Sequence, residues 1–438
     1  MFSNIWSLPI HLIKVFSVSW LDIKTLVRFD TSVCSKCLRY NKWLNILQNS
    51  KIQNCKFDPQ CPAMMKWIII RKAYLVVHSM YIKQVIGFRS GLPDEGYSRL
   101  VQVKSIFIAD TSVKEMEEFL KMIFPYLRDA RGLYITSSQH KDNCSGTELS
   151  EEFYTCLLSN HCPRLKNCTL KIINKFNYSS TLLVPFLTNA TYLEDITLWN
   201  CMLTVEEASC LSIGLKHCYV ANFNRHNEHA VVTESILVAV AQRCALLTSL
   251  TISEDKGISV QPQVTNAVIT AIGDRLHLLR DLNISCVHSN WTTLSPIYLQ
   301  CIALADLTLR PCTNLSDTDF ERLLAMPYLQ KLNLATSATV SGDHLTVAST
   351  TLLSLDLSLF VSLTDEGVKN IVQGCTVLKN LVLSECSRIT DSAFISFIQQ
   401  KPDFTMLFNS LCPNACSERV RSKLAELGIA LTSEQYFH

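Results

Sequence analysis

From Val77 to Cys412 one short phrase keeps returning: an apolar residue, two variable ones, an apolar, one variable, an apolar, and then often a cysteine. Leu193, Ile196, Leu198 and Cys201 make one copy, Leu304, Leu307, Leu309 and Cys312 a second, and Leu378, Leu381, Leu383 and Cys386 a third. The last two apolar positions stand two apart, so they share one side of an extended strand; a helix would repeat its apolar face at three and four. Further copies begin at Leu279, Leu329 and Leu352, giving first positions 25, 25, 23 and 26 residues apart from Leu279 through Leu304, Leu329 and Leu352 to Leu378. A worn copy, Phe404, Leu407, Asn409 and Cys412, follows 26 residues later. Looser copies lie upstream at Leu247, Leu215, Leu165, Ala130, Val103 and Val77, for about thirteen units in all.

Between strands the chain reads as helix. Thr364 and Asp365 precede Val368, Ile371 and Val372; Thr390 and Asp391 precede Phe394, Phe397 and Ile398; Ser316 and Asp317 precede Phe320, Leu323 and Leu324. A Ser or Thr ahead of apolar residues spaced three and four apart is the pattern of an N-capped amphipathic helix. A single strand–turn–helix unit cannot bury its apolar side, so neighbours must stack. The expectation is an α/β fold: a curved solenoid with a parallel sheet on the concave face and helices on the convex face, over residues 64–412. Residues 413–438, with a helix from about Ser417 to Leu427 stopped by Gly428, then read as a C-terminal cap. Residues 1–48 read as a small helical module and 49–63, which carry Pro59 and Pro62, as a linker.

Leu378, Leu381, Leu383 and Cys386, followed by Ile389, Thr390 and Asp391, resemble the cysteine-containing leucine-rich repeats common in F-box proteins. The start of the chain resembles an F-box itself. Leu8 and Pro9 open an apolar pattern through Leu12, Ile13, Val15 and Phe16; Trp20, Leu21 and Asp22 break it before a second helix with Leu26, Phe29, Val33 and Cys34. The resemblance implies the substrate-recognition subunit of an SCF-type E3 ubiquitin ligase. Its partners would be a Skp-type adaptor, bound through Leu8, Pro9, Phe16, Leu21, Leu26 and Val33, the cullin-based ligase beyond it, and an unknown target protein. The residues alone leave open a second reading, a leucine-rich-repeat scaffold or inhibitor unconnected with ubiquitin, whose first helices only cap the stack.

Composition narrows the classes. A net charge of +2 gives no reason to expect nucleic acid or an anionic membrane as partner, and no apolar run reaches the ~18–20 residues of a membrane span. The 19 cysteines are odd in number and several recur at a repeat position facing the core, which points to reduced thiols and a cytoplasmic or nuclear protein. The pairs Cys34 with Cys37 and Cys412 with Cys416 lack the second pair a structural zinc site needs, and His226 and His229 sit in a polar loop without further ligands. No metal, cofactor or catalytic constellation is expected, hence no enzyme.

Recognition should fall on the sheet. The variable residue between the last two apolar positions points away from the core, and that column reads Tyr81, Phe107, Tyr134, Thr169, Thr197, Tyr219, Thr251, Asn283, Thr308, Asn333, Asp356, Val382 and Phe408. Tyr81, Phe107, Tyr134 and Tyr219, with Trp199 beside the column, are the candidate target-binding residues, because exposed rings are enriched among interface hot spots. Packing of the rings on one another is the other reading. Thr251, Thr308 and Ser358 are small polar positions expected to tolerate change.

Overall fold

The computed structural model describes residues 51–57, 74–83, 100–101, 105–109, 130–136, 164–171, 183–199, 203–222, 234–254, 264–285, 289–346, 348–394, 406–408, 412, 417, 420, 422–423, 426 and 430–431. Two units divide the chain, one of residues 1–199 and 210–214, the other of 200–209 and 215–438.

The first unit carries strands β1 (Lys51–Phe57), β2 (Tyr74–Lys83), β3 (Leu100–Val101), β4 (Ser105–Ala109), β5 (Gly132–Thr136), β6 (Asn167–Lys171) and β7 (Asp195–Trp199). All pairings are parallel, in the order β1-β2-β4-β5-β6-β7, with β3 also on β2. Parallel neighbours need a crossover between them, and before β7 it includes helix α1 (Val184–Asn189), which has proline in its first turn and buries Phe186 and Leu187. Leu165, Cys168, Leu170, Leu193, Ile196 and Leu198 are buried, as the phrase requires. Residues 51–57 correct the expected linker at 49–63: they form β1 and add a strand to the sheet. Pro59 and Pro62 follow that strand and so do not interrupt its pairing.

The second unit holds α2 (Val205–Ser209), β8 (His217–Asn222), α3 (Glu234–Arg243), β9 (Ser249–Glu254), β10 (Val264–Thr265), α4 (Asn266–Arg275), β11 (Asp281–Ser285) and β12 (Ser289–Asn290). It continues with α5 (Ser295–Gln300), β13 (Asp306–Arg310), α6 (Asp317–Leu324), β14 (Lys331–Leu334), β15 (Ser354–Asp356), α7 (Asp365–Gly374), β16 (Asn380–Val382), β17 (Met406–Phe408) and β18 (Ala430–Leu431). The sheet runs β8-β9-β11-β13-β14-β15-β16-β17-β18, every pair parallel, while β10 and β12 pair separately. Leu282, Leu307, Leu332, Leu355 and Leu381 meet across successive strands, all at 1% exposure or less. That unbroken apolar ladder is the core of the unit.

Caps fix where the helices begin. The Ser316 hydroxyl accepts from Asp319 N at 3.0 Å and the Thr364 hydroxyl from Gly367 N at 3.0 Å. Thr204 and Glu207 make a reciprocal box, Thr204 N donating to Glu207 Oε2 at 2.8 Å and Glu207 N to the Thr204 hydroxyl at 3.2 Å. After Ser316, Thr364 and Thr390 the next residue is an aspartate whose carboxylate reaches the next repeat. Asp317 accepts from Ser341 N and Gly342 N, Asp365 from Thr390 N, and Asp391 from Ser417 N. Each carboxylate thereby satisfies amides of the following repeat and ties one repeat to the next.

One unit departs from strand–turn–helix. Among the described residues between β14 and β15 there is no α-helix. This is the 23-residue step of the sequence, and it is rich in Thr and Ser, with Gly342 at φ +78°. Thr336, Leu359 and Glu385, each two residues past the last apolar position of its phrase, also have left-handed backbone, which turns the chain out of the strand. Repeated parallel strands in one register, with helices between many of them, make the fold a leucine-rich-repeat solenoid.

Candidate recognition surface

In the second unit the outward row is continuous. Tyr219 stands opposite Thr251, Thr251 opposite Asn283, then Thr308, Asn333, Asp356, Val382 and Phe408, each on the next strand. Tyr219, Thr251, Asn283, Thr308, Asn333 and Asp356 are half-buried, while the leucines and isoleucines on either side of the row are buried. Burial raises the Tyr219 phenol above its ordinary value.

Arg310, two residues beyond Thr308 on β13, binds this face together. Its Nε donates to Asn333 Oδ1 at 2.9 Å on the next strand, and its guanidinium reaches Asp356 Oδ2 at 2.8 Å one strand further. Asp356 Oδ1 accepts from Ser358 N at 3.0 Å and from the Ser358 hydroxyl at 2.6 Å. On β11 the Ser285 hydroxyl donates to Asn283 Oδ1 at 2.8 Å. Ser358, expected as a small polar position, is buried, with its hydroxyl on Asp356. At the start of the strands Asp281 is raised above its ordinary value, first by desolvation and then by the Asp306 carboxylate, with Lys331, His217 and Arg280 opposing. Lys331 pairs with Asp306 at 3.2 Å. The face is thus polar, with Arg310 and Lys331 each matched by a carboxylate.

The first unit shows a different row. The backbone places Tyr81 opposite Phe107, Phe107 opposite Tyr134, and Tyr134 opposite Thr169 and, one strand on, Thr197. The side chains of Tyr81 and Phe107 lie outside the described residues. Tyr134 is half-buried, and a Cβ built at Gly132 would stand 3.0 Å from its ring, so part of that ring covers its own strand. Trp199, also half-buried, shares this face two residues beyond Thr197 and stands opposite Lys171. Tyr219, expected to extend the aromatic strip, belongs to the second unit and stands opposite Thr251 there. Leu8, Pro9, Phe16, Leu21, Leu26 and Val33 lie outside the described residues, as do Cys34, Cys37, Cys201, Cys416, His226 and His229.

Among the nine cysteines whose side chains are described, all but Cys210 are buried. Cys312 donates to Leu309 O at 3.1 Å, Cys386 to Leu357 O at 3.3 Å and Cys412 to Leu383 O at 3.0 Å, so each closes a carbonyl at a strand end. A second cysteine series escaped the sequence reading: Cys244, Cys301 and Cys375 close α3, α5 and α7 from buried positions. The signal was present, since each stands three residues ahead of the first leucine of a phrase, Leu247, Leu304 and Leu378.

Burial pushes the Cys244 and Cys301 thiols up to about 12. Unfolded thiols ionise near ~8.5, so the stabilisation is complete below that pH and is lost as pH rises from there towards 12. Equilibrium unfolding is expected to show a loss of about 1 kcal/mol per thiol between pH 8 and pH 9.5, and Cys301→Ala is expected to flatten that slope.

No protein-family model matches the chain, and no curated protein matches it. Among solved structures, the chain is similar to the crystal structure of the Rad7 and Elc1 complex in yeast, at 14% identity over 90% of this chain and 91% of that one, with a TM-score of 0.48. It is also similar to TLR13 in its complex with ssRNA13, at 14% identity over 83% of this chain and 59% of that one, with a TM-score of 0.41. A third is the leucine-rich repeat-containing protein LegL7 from Legionella pneumophila, at 10% identity over 80% and 97%, with a TM-score of 0.30. Among the described residues no helix is long and apolar enough to cross a membrane.

Proposed function

We propose that the chain is the substrate-recognition subunit of an SCF-type E3 ubiquitin ligase. Residues 1–48 hold a Skp-type adaptor, and through it the cullin-based ligase, while the outward rows of the sheet hold a target protein. The observation that carries this reading is the order of the chain: the F-box-like pattern from Leu8 to Val33 stands directly ahead of a repeat sheet whose first strand opens at Lys51. A recruiting module and a recognition surface on one chain bring a target to catalytic machinery that resides in the partners, which accords with an outward face of rings, hydroxyls and amides.

One observation favours the scaffold reading. Among the described strands β1 ends the sheet order of its unit, and an end strand is commonly covered by a cap, the task of the first helices on this reading. Co-expression of the full chain with a Skp-type adaptor separates the two. A stable complex on gel filtration is expected, and two separately eluting proteins would remove the ligase reading.

A further inference from the structure

Thr251, Asn283, Thr308 and Asn333 occupy four successive strands in one register, and all four are half-buried. Asn333 Oδ1 faces Arg310 Nε, which can only donate, so the amide orientation is settled and Nδ2 points elsewhere. Asn283 is likewise held through Oδ1, by Ser285. Among the described residues neither Nδ2 nor either threonine hydroxyl has a partner within the chain. The sheet therefore presents an alternation of hydroxyl and amide donors, the two amides held through their oxygens.

We propose that this row is a docking strip for a proline-rich segment in the polyproline II conformation. The spacing fits: Asn283 and Asn333 are two strands apart, ~9.6 Å at the usual sheet spacing, and polyproline II repeats every three residues, ~9.3 Å. The chemistry fits as well. A proline-rich backbone has free carbonyls and few N–H groups, so it offers acceptors to a row with spare donors. Tyr219, next in register to Thr251, supplies a partly exposed ring against which a pyrrolidine packs, and the Arg310–Asp356 pair closes the other end without leaving a net charge. The proposal rests on the reading that the sheet face captures the target, and it is independent of the adaptor module.

The test is fluorescence anisotropy of fluorescein-labelled decaproline titrated with the full chain, alongside a length-matched Gly/Ser peptide. Saturable decaproline binding with Kd below ~1 mM is expected, with none for the Gly/Ser peptide. Asn283→Asp with Asn333→Asp keeps shape, and at 333 keeps an acceptor towards Arg310, but removes both amide donors; it is expected to weaken binding at least ~tenfold. Should that variant fail to fold, Thr308→Val is expected to weaken binding at least ~threefold through one lost hydrogen bond. No saturation by ~1 mM, equal affinity for the Gly/Ser peptide, or unchanged affinity in the folded variant would overturn the proposal. Because no adaptor is present, failure here leaves the ligase reading standing, and loss of the ligase reading leaves this result intact.

Discussion

Leu307→Ala is expected to lower the unfolding free energy by about 2–5 kcal/mol, while Thr308→Ala, the next residue on the same strand, is expected to change it by less than about 0.5 kcal/mol. Leu307 is fully buried between Leu282 and Leu332 on the flanking strands, so truncation removes apolar area and leaves a cavity that two fixed strands cannot close. Thr308 faces outward and has no partner to lose within the described residues. Urea unfolding of the two variants measures the contrast directly, and equal losses would mean that the register is wrong.

Gly273→Ala should also destabilise, by about 1–3 kcal/mol, although the change favours helix by about 1 kcal/mol in an open setting. Gly273 lies inside α4, where propensity alone predicts a gain. A Cβ there would stand 2.5 Å from Pro296 Cβ and 2.6 Å from the Pro296 carbonyl oxygen at the start of α5. Backbone on a packed neighbour cannot swing aside as a flexible side chain would, so steric cost exceeds propensity and the sign reverses. A raised melting temperature in this variant would show that α4 and α5 can part without cost.

The strand register was legible because a period of two leaves little freedom once one face is apolar. Leu307 and Leu309 inside force Thr308 out, and the same logic sets every member of the column through Asn333 and Asp356. Helix starts at Ser316 and Thr364 were legible because a hydroxyl ahead of an apolar stripe has one local use. What spacing could not show is reach. Arg310 crosses to Asn333 and Asp356, a tie made by a long side chain across three strands and not by any period. The burial of Ser358 was out of reach for the same reason, since its hydroxyl is held by the Asp356 carboxylate. β1 was hidden by nearby prolines, and the stretch between β14 and β15 kept the phrase while giving up the helix. Of the aromatic candidates, the backbone aligns Tyr81, Phe107 and Tyr134, and the Tyr134 ring lies close to Gly132 of its own strand.

The most direct measurement titrates a Skp-type adaptor into the full chain and into its Leu8→Ala, Pro9→Ala variant by calorimetry, with the thermal transition of each protein recorded in parallel. If the first helices recruit the adaptor, the variant loses adaptor binding and its transition stays where it was, because the changed residues pack on the partner. If adaptor affinity is absent in both proteins, or the variant's transition falls while any binding is unchanged, the first helices are a cap on the repeat sheet and the ligase reading is contradicted.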